Sequence, residues 1–350
     1  MQQNHPLVSI NLLAWNGQKY IKKCLDSVFE QTYPNLEINI IDNGSKDNTP
    51  DYFKNLPDQP NLRIAYNSQN IGFAAGHNQL IKRSQGKFIL CLNQDVILDK
   101  DFIKEAIRLF NQDEKIGAIQ GKLLRWQKEY LDTTGLVMLK NRRIINRGQG
   151  QLDQGQFEKT EEIFGADGAA PIFRKTALED IKLTVRQRTD AQNHNQIKDL
   201  NDFGEYFDED FFAYKEDVDL DWRLRLYGWK AFYQPKAIAY HDRTAGDSAA
   251  ISYWAIVKER LKISQFGKYL AFKNQRLMQI KNEQISLLIR HSPWFLPKEI
   301  GAWFFAALFE RYTRKAFRAL FKQAPRAWQK RKIIMSRKRI GAQEMNKWFQ

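Results

Sequence analysis

Cysteine is scarce in this chain of 350 residues: there are two, Cys24 and Cys91, both in apolar stretches with no cysteine or histidine nearby at metal-site spacing. A disulfide framework and a zinc cluster are thereby excluded, and both thiols read as reduced core residues of a cytosolic protein. Long apolar runs are missing too. The stretch Ile300 to Phe309 is apolar apart from Gly301, but ten residues fall short of the roughly 20 that a helix needs to cross about 30 Å of hydrocarbon. The start, Met1-Gln2-Gln3-Asn4-His5-Pro6, has neither a basic nor an apolar leader region, so no signal peptide is expected. Acidic residues are nearly absent from one region: residues 251–350 hold 5 Asp and Glu against 22 Lys and Arg, whereas residues 1–250 hold 35 against 33. The net charge of +15 therefore sits wholly in the last hundred residues. That pattern describes a near-neutral body with a basic tail, not a uniformly basic nucleic-acid binder. With 43% hydrophobic residues, 13% of the chain being aromatic, disorder throughout is excluded as well.

What is present is alternation. Short apolar runs, Leu7 to Ala14, Leu36 to Ile41, Arg63 to Tyr66 and Phe88 to Leu92, are each followed by an amphipathic stretch: Lys19 to Phe29, Thr49 to Asn55, Phe73 to Arg83 and Phe102 to Phe110. Strand and helix in turn imply right-handed βαβ units, an α/β fold and a mostly parallel sheet flanked by helices. Ligands of such sheets bind at the carboxyl ends of the strands. Four loops rich in Asn, Asp, Gly and Ser follow the four runs: Trp15-Asn16-Gly17, Asp42 to Asp47, Asn67 to Gly76, and Asn93-Gln94-Asp95. One such loop is ordinary turn chemistry; four on one rim point to a site. Beyond Ile116 the pattern is strand-like and broken as far as Phe173, and Thr184 to Asn195 has no periodicity and reads as a mobile surface loop.

The order and spacing of these motifs resemble glycosyltransferase family 2, with the GT-A fold, and within it bacterial rhamnosyltransferases of surface-polysaccharide (O-antigen) assembly. The series runs Val8-Ser9-Ile10-Asn11 to Trp15-Asn16, Ile41-Asp42-Asn43-Gly44-Ser45 with Asp47, Asn70-Ile71-Gly72 to His77-Asn78, Leu92-Asn93-Gln94-Asp95, Gly165 to Ala170, and Phe207 to Phe212 running into Tyr214 to Leu220, Trp222-Arg223 and Gly228-Trp229. It covers residues 6 to 245. The resemblance implies a nucleotide-sugar donor, dTDP-rhamnose first, bound by Asn16, Asp42, Asn43, Ser45, Asp47, Asn70, Gly72, Asn78, Asn93 and Asp95. A carboxylate at Asp42 suits a uracil or thymine ring, which offers N–H where cytosine offers an acceptor; Asp42-Asn43-Gly44-Ser45 is equally a good Asx turn.

The family's Asp-x-Asp reads Asn93-Gln94-Asp95 here, so Asp95 alone remains of the pair. A divalent cation, Mg²⁺ or Mn²⁺, would carry the charge of the leaving diphosphate, held by Asp95 and, as the resemblance implies, by His241. Glu216-Asp217 matches the family's acidic motif, which makes Asp217 the general base for the acceptor hydroxyl and Glu216 its support. Both acids also sit where a helix N-terminus favours negative charge. Small residues with one acid, Asp167-Gly168, together with Trp229, are candidates for holding the acceptor. No covalent nucleophile stands out, and the resembled family inverts by direct displacement.

In the tail, Arg311, Arg314, Lys315, Arg318 and Lys322 recur at helical spacing after the apolar run. An interfacial amphipathic helix is expected, with Trp294, Trp303 and Trp328 at headgroup depth and basic residues, the clusters Lys330-Arg331-Lys332 and Arg337-Lys338-Arg339 among them, on anionic lipid. This divides the chain into a catalytic region, 1–248, and a basic helical region, 249–350, that docks peripherally on the cytoplasmic face of a bacterial inner membrane near a glycan or lipid-linked acceptor. The rival reading is a nucleic-acid- or partner-binding protein acting through the tail; the apolar run argues against nucleic acid as a partner. The absence of Gln-x-x-Arg-Trp and of membrane spans argues against a processive synthase.

Overall fold

The computed structural model describes residues 5–184, 204–243 and 259–350. Its first half alternates as the apolar runs require: β1 (Val8–Ala14), α1 (Ile21–Phe29), β2 (Leu36–Asp42), α2 (Thr49–Lys54), β3 (Leu62–Tyr66), α3 (Phe73–Arg83), β4 (Phe88–Asn93), β5 (Val96–Leu98) and α4 (Phe102–Phe110). The broken stretch holds β6 (Ile116–Arg125), β7 (Leu131–Thr133), β8 (Leu136–Met138), β9 (Ile144–Asn146), β10 (Glu161–Ile163) and β11 (Ile172–Arg174). Then come α5 (Lys175–Ile181), β12 (Leu183–Thr184), β13 (Gly204–Glu205), α6 (Glu216–Leu226) and β14 (Lys230–His241). The basic region is helical: α7 (Gln265–Asn282), α8 (Ile285–Arg290), α9 (Ser292–Phe309), α10 (Arg314–Arg337) and α11 (Ala342–Met345).

The main sheet runs β10-β14-β6-β11-β4-β1-β2-β3, with β5 added to β14 and β7 to β6. Strands β4, β1, β2 and β3 are mutually parallel, as are β6 and β14, and antiparallel β11 joins the two groups. β1 is buried along almost its whole length, Val8, Ile10 and Leu12 on one face and Ser9 and Asn11 on the other. Helices on both faces of a parallel sheet demand that. α4 turns Phe102, Ile103, Ala106, Ile107 and Phe110 inward at three- and four-residue spacing. α6 differs: of its residues only Asp217 escapes full burial. Its charges are paired inside the protein, Arg223 to Asp219 at 3.1 Å and Arg225 to Glu162 at 2.5 Å.

The basic region packs against this body. Leu277, Met278, Leu320, Ala327 and Ile334 share one apolar cluster with Trp222, Leu224 and Tyr227 of the α6 segment. The boundary expected at residues 248 and 249, and Val185 to Asn195 of the expected loop, lie outside the described residues. A buried ionic lock reinforces the packing. The Lys330 amine meets Glu205 at 2.6 Å, Asp210 at 2.9 Å and Asp208; that of Lys281 meets Asp219 at 2.8 Å and Asp208. Burial opposes the ionisation of Asp208, yet Lys281 and Lys330 hold its carboxyl well below the usual range. Removing one partner from such a lock leaves an uncompensated buried charge, which costs about 3–5 kcal/mol.

These contacts correct part of the expected lipid face. Lys330 points into the protein, Arg331 donates to the carbonyls of Ile280 and Glu283, Arg337 to those of Asp180 and Lys182, and Arg339 pairs with Asp180. Trp303 packs between Phe272 and Phe317, at ring distances of 5.1 and 4.8 Å. A run apolar on every side does not disclose which tryptophan faces inward. On α9 the residues left outward include Leu296, Ile300, Phe304 and Leu308, four apart, each more than half exposed, joined by Trp294 and Phe309 and, on α10, by Phe321 and Trp328. No helix among the described residues is long and apolar enough to cross a membrane.

Candidate functional site

The carboxyl ends of β1, β2 and β4 form the rim where the four polar loops meet. β2 delivers Asp42 in register between Ala14 and Tyr66. Its Oδ2 accepts from the Ser45 N–H at 3.1 Å, closing the Asx turn, while Oδ1 is buried and has no partner. The turn thus uses one oxygen and leaves the other without a protein partner. Asn16, in the left-handed region (φ 49°), accepts from the Lys46 N–H at 2.8 Å, and its own N–H donates to Ser45 Oγ at 2.9 Å. Gln94 clamps the neighbouring Trp15 backbone at 2.9 Å in each direction.

Several expected donor ligands have their side chains engaged within the protein. Asp47 accepts from the N–H groups of Gln18 and Thr49 and from the Thr49 hydroxyl, at 2.6–3.0 Å. Burial opposes its ionisation, but those donors hold its carboxyl below the ordinary value. Asn43 accepts from Asn67 and the Ile71 N–H and donates to Asn70 and the Gly72 carbonyl, so it and Asn70 fasten the loop after β3. Asn78 donates to the Phe207 carbonyl and Glu209, and accepts from the N–H groups of Tyr206 and Phe207. At Gly72 (φ +91°) an added Cβ would lie 2.6 Å from Phe212. These contacts brace the loops of the rim, and Gly72 and Asn78 also hold the segment leading to α6.

Pairing of β5 with the end of β14 puts His241 opposite Val96 and hence beside Asp95. His241 Nε2 lies 3.5 Å from Asp95, and its Nδ1 is 2.8 Å from Asp132, a fully buried acid that no motif pointed to. Burial works against protonation of this ring, but Asp132 and Asp95 outweigh it and raise the pKa to about 9. Asp132 also takes Arg243 at 2.5 and 3.1 Å, and these cations bring its carboxyl, against its burial, down to about 2. A carboxylate on one imidazole nitrogen with the other directed at an acid is the arrangement that orients a metal-binding histidine. Among the described residues no group of three or more acids, histidines or cysteines could hold an ion alone. Asp95 and His241 fit a cation that takes its remaining ligands from a donor's phosphates, as Mg²⁺ usually does. Asn93, half-buried, meets the Gly165–Ala170 loop through its N–H, which donates to the Ala169 carbonyl at 2.9 Å.

The acids of α6 dock on the same loop. Asp217 Oδ2 accepts from the Gly168 N–H at 3.1 Å, and one helical turn on, Asp221 Oδ2 accepts from the Ala166 N–H at 2.7 Å. Asp167 accepts from Ala169 N–H, Asn146 and Arg243, which joins it to the histidine side. Burial first, then Asp167, raises the pKa of Asp217; burial and Asp217 raise Glu216 to about 8, and burial pushes Asp221 well up. Burial and Asp217 thus push Glu216 toward its neutral form, and its buried Oε2 has no partner. Of the two motif acids, Glu216 is buried and Asp217 half-buried. Trp229 follows the C-terminal end of α6, which lies about 14 Å along the axis from Asp217, and its ring N–H donates there to Asp180 at 2.7 Å.

The polypeptide leading into α6 is unusual. Phe212, Tyr214 and Lys215 all have positive φ, of 65°, 67° and 76°. Non-glycine residues there cost about 1–3 kcal/mol each and persist only where surrounding structure over-determines them.

Comparison with known proteins agrees with this geometry. The family described as glycosyl transferase family 2 matches residues 9–182. The poly-beta-1,6-N-acetyl-D-glucosamine synthase of Staphylococcus epidermidis is 24% identical over 293 residues, 81% of this chain and 59% of that protein. The Staphylococcus aureus protein of the same name is 25% identical over 242 residues, 67% of this chain and 49% of that protein. The chain thus spans about half to three-fifths of the length of these curated relatives. In fold it is similar to the solved structure of GalNAc-T7 with UDP, GalNAc and Mn²⁺, with a TM-score of 0.51 at 11% identity over 88% of this chain and 59% of that one. The matched span, which holds the polar rim and the parallel strands of the sheet, identifies residues 9–182 of this chain as a glycosyl transferase family 2 domain.

Proposed function

We propose that this protein transfers a sugar from a nucleotide-sugar donor to an acceptor hydroxyl in one inverting step, with Asp217 as general base. The observation that carries the reading is one unbroken series of contacts: Asp95 to His241, Asp132, Arg243 and Asp167, whose neighbour Gly168 touches Asp217. It joins a place suited to a leaving diphosphate to a place suited to an incoming alcohol. Asp217 Oδ1 and Oδ2 receive backbone donors from Val218 and Gly168, which fix the carboxylate while its raised pKa strengthens it as a base. The base takes the hydroxyl proton as the acceptor oxygen bonds to the anomeric carbon; the bond from that carbon to the diphosphate oxygen breaks, and the nucleoside diphosphate leaves. Neutral Glu216 supplies a hydrogen-bond donor beside it. A cation, when bound by Asp95 and His241, supplies positive charge to the departing diphosphate.

The free Oδ1 of Asp42 supports a uracil- or thymine-bearing donor. Motif resemblance favours dTDP-rhamnose, while the relatives' names contain N-acetyl-D-glucosamine. A transfer and hydrolysis screen of UDP-, GDP- and dTDP-sugars with and without Mn²⁺ tests the reading. Turnover of a UDP- or dTDP-sugar is expected; GDP-sugar as the sole substrate would contradict the role of Asp42. Absence of Gln-x-x-Arg-Trp supports single addition over polymer synthesis.

The acceptor side is proposed to lie on an anionic membrane surface. Support comes from the outward stripe Leu296, Ile300, Phe304 and Leu308, with exposed Arg311, Arg314, Lys315, Arg318 and Lys322 on the succeeding segment. The buried pairing of Lys281 and Lys330 takes charge away from a nucleic-acid-binding role for this region. Flotation with anionic vesicles, lost when Ile300 and Phe304 become Asp, is the expected result; equal flotation of wild type and variant would overturn it.

A further inference from the structure

The segment that delivers the acid pair is gripped from a helix far along the chain. On α7, Asn274 is fully buried, and its side-chain nitrogen lies 2.9 Å from the Phe211 carbonyl, 2.8 Å from that of Ala213 and 2.8 Å from that of Tyr214. Those carbonyls belong to the turn in which Phe212, Tyr214 and Lys215 adopt positive φ. The Phe211 carbonyl also takes the Ala213 N–H at 2.8 Å, whereas the carbonyls of Ala213 and Tyr214 are met by the two N–H bonds of the Asn274 amide. The neighbouring Lys273 amine reaches the Asp210 carbonyl one step earlier. On the opposite side, the Ala74 N–H donates to the Phe212 carbonyl at 3.2 Å, and Gly72 leaves room for the Phe212 ring. The turn is therefore held between the start of α3 and α7, and Asp217 follows it by two residues.

We propose that Asn274 is a positioning residue for Asp217: its amide holds the left-handed turn that sets where α6 begins and where the base points. This rests on the reading of Asp217 as general base. The basic helical region then completes the active site, since among the described residues the α7 amide is the donor that meets the Ala213 and Tyr214 carbonyls.

The test compares Asn274→Asp, which keeps the shape but sets a carboxylate against three carbonyl oxygens, with Gln275→Ala as control. Gln275 is the next residue on α7, is buried, and donates to the Arg142 carbonyl at 2.9 Å, away from the turn. Steady-state transfer is measured per donor-binding site, with donor KM, acceptor kcat and Tm recorded for each variant. Asn274→Asp is expected to lower kcat by about 100-fold, the size of effect that misplacing a catalytic group by about 1 Å produces, with donor KM within about 2-fold. Gln275→Ala is expected to lower Tm and leave kcat per folded site within about 2-fold. If Asn274→Asp does not fold, Asn274→Gln, which keeps the amide but displaces it by one methylene, is read in the same way. A kcat within 2-fold of wild type in the readable variant, or a kcat loss shared equally by Gln275→Ala, overturns the proposal. Asp217→Asn, run alongside, separates the two ideas: if it retains turnover, the base assignment falls and the positioning role with it. If it is inactive while the Asn274 variant matches wild type, only the positioning role falls.

Discussion

The donor rim and the α6 acid cluster are built in opposite ways. On the rim, Asp42, Asp47, Asn16 and Asn43 satisfy one another's loops through short polar turns, and against burial the donors around Asp47 hold its carboxyl below the ordinary value. At the start of α6, Glu216, Asp217 and Asp221 are crowded where burial opposes their charge, behind a strained turn held by residues from other parts of the chain. Binding needs a preformed cradle, and local sequence suffices to make one. A base needs a perturbed environment, and distant elements must impose it.

The contrast can be broken at several points. The largest expected effect is on the lock: Lys330→Met leaves Glu205, Asp208 and Asp210 without their shared cation and should cost about 3–5 kcal/mol in chemical denaturation. A loss below about 1 kcal/mol would show that the basic region does not brace the acid side. Next come the two rim acids, which look alike in sequence. Asp42→Asn is expected to weaken UDP or dTDP binding by about 10-fold, the loss of one charge-assisted hydrogen bond, measured by calorimetry. Asp47→Ala, the loss of a loop and helix-start cap, should instead cost about 1 kcal/mol of stability with nucleotide affinity unchanged. The reverse pattern would show that Asp47 faces the donor.

A pH-dependent comparison sharpens the electrostatics. Glu216 has a folded pKa of about 8 against an ordinary value of 4.5. Between those values the folded state holds a proton that the unfolded state has lost, so this carboxyl's contribution to stability falls as pH rises from 4.5 to 8. Glu216→Gln removes that loss, and its Tm relative to wild type is expected to increase from pH 5 to pH 8. A constant difference would place Glu216 in an unperturbed environment.

The sheet and its rim were legible because apolar runs and polar loops are local signals. The runs Leu7 to Ala14 and Phe88 to Leu92 became β1 and β4, and Phe73 to Arg83 and Phe102 to Phe110 became α3 and α4 within those bounds. Less legible was which polar side chain each loop uses for itself, since an Asp followed by Gly-Ser looks the same with one oxygen free or none. The lock was invisible: Lys330 lies 122 residues from Asp208, and a basic run carries no mark of the acids it meets. Asp132 and Asn274 likewise sit in unremarkable stretches, and only the pairing of β7 with β6, itself paired to β14, and the packing of α7 against the turn before α6 give them a role.

The central claim concerns Asp217, and its most direct test is transfer by Asp217→Asn alongside donor affinity. The amide keeps the shape and loses the base, so transfer is expected to fall by about 100-fold or more, general base catalysis contributing about 10²–10⁴-fold, while UDP or dTDP binding stays within about 2-fold. Transfer at the wild-type rate with binding intact would contradict the account.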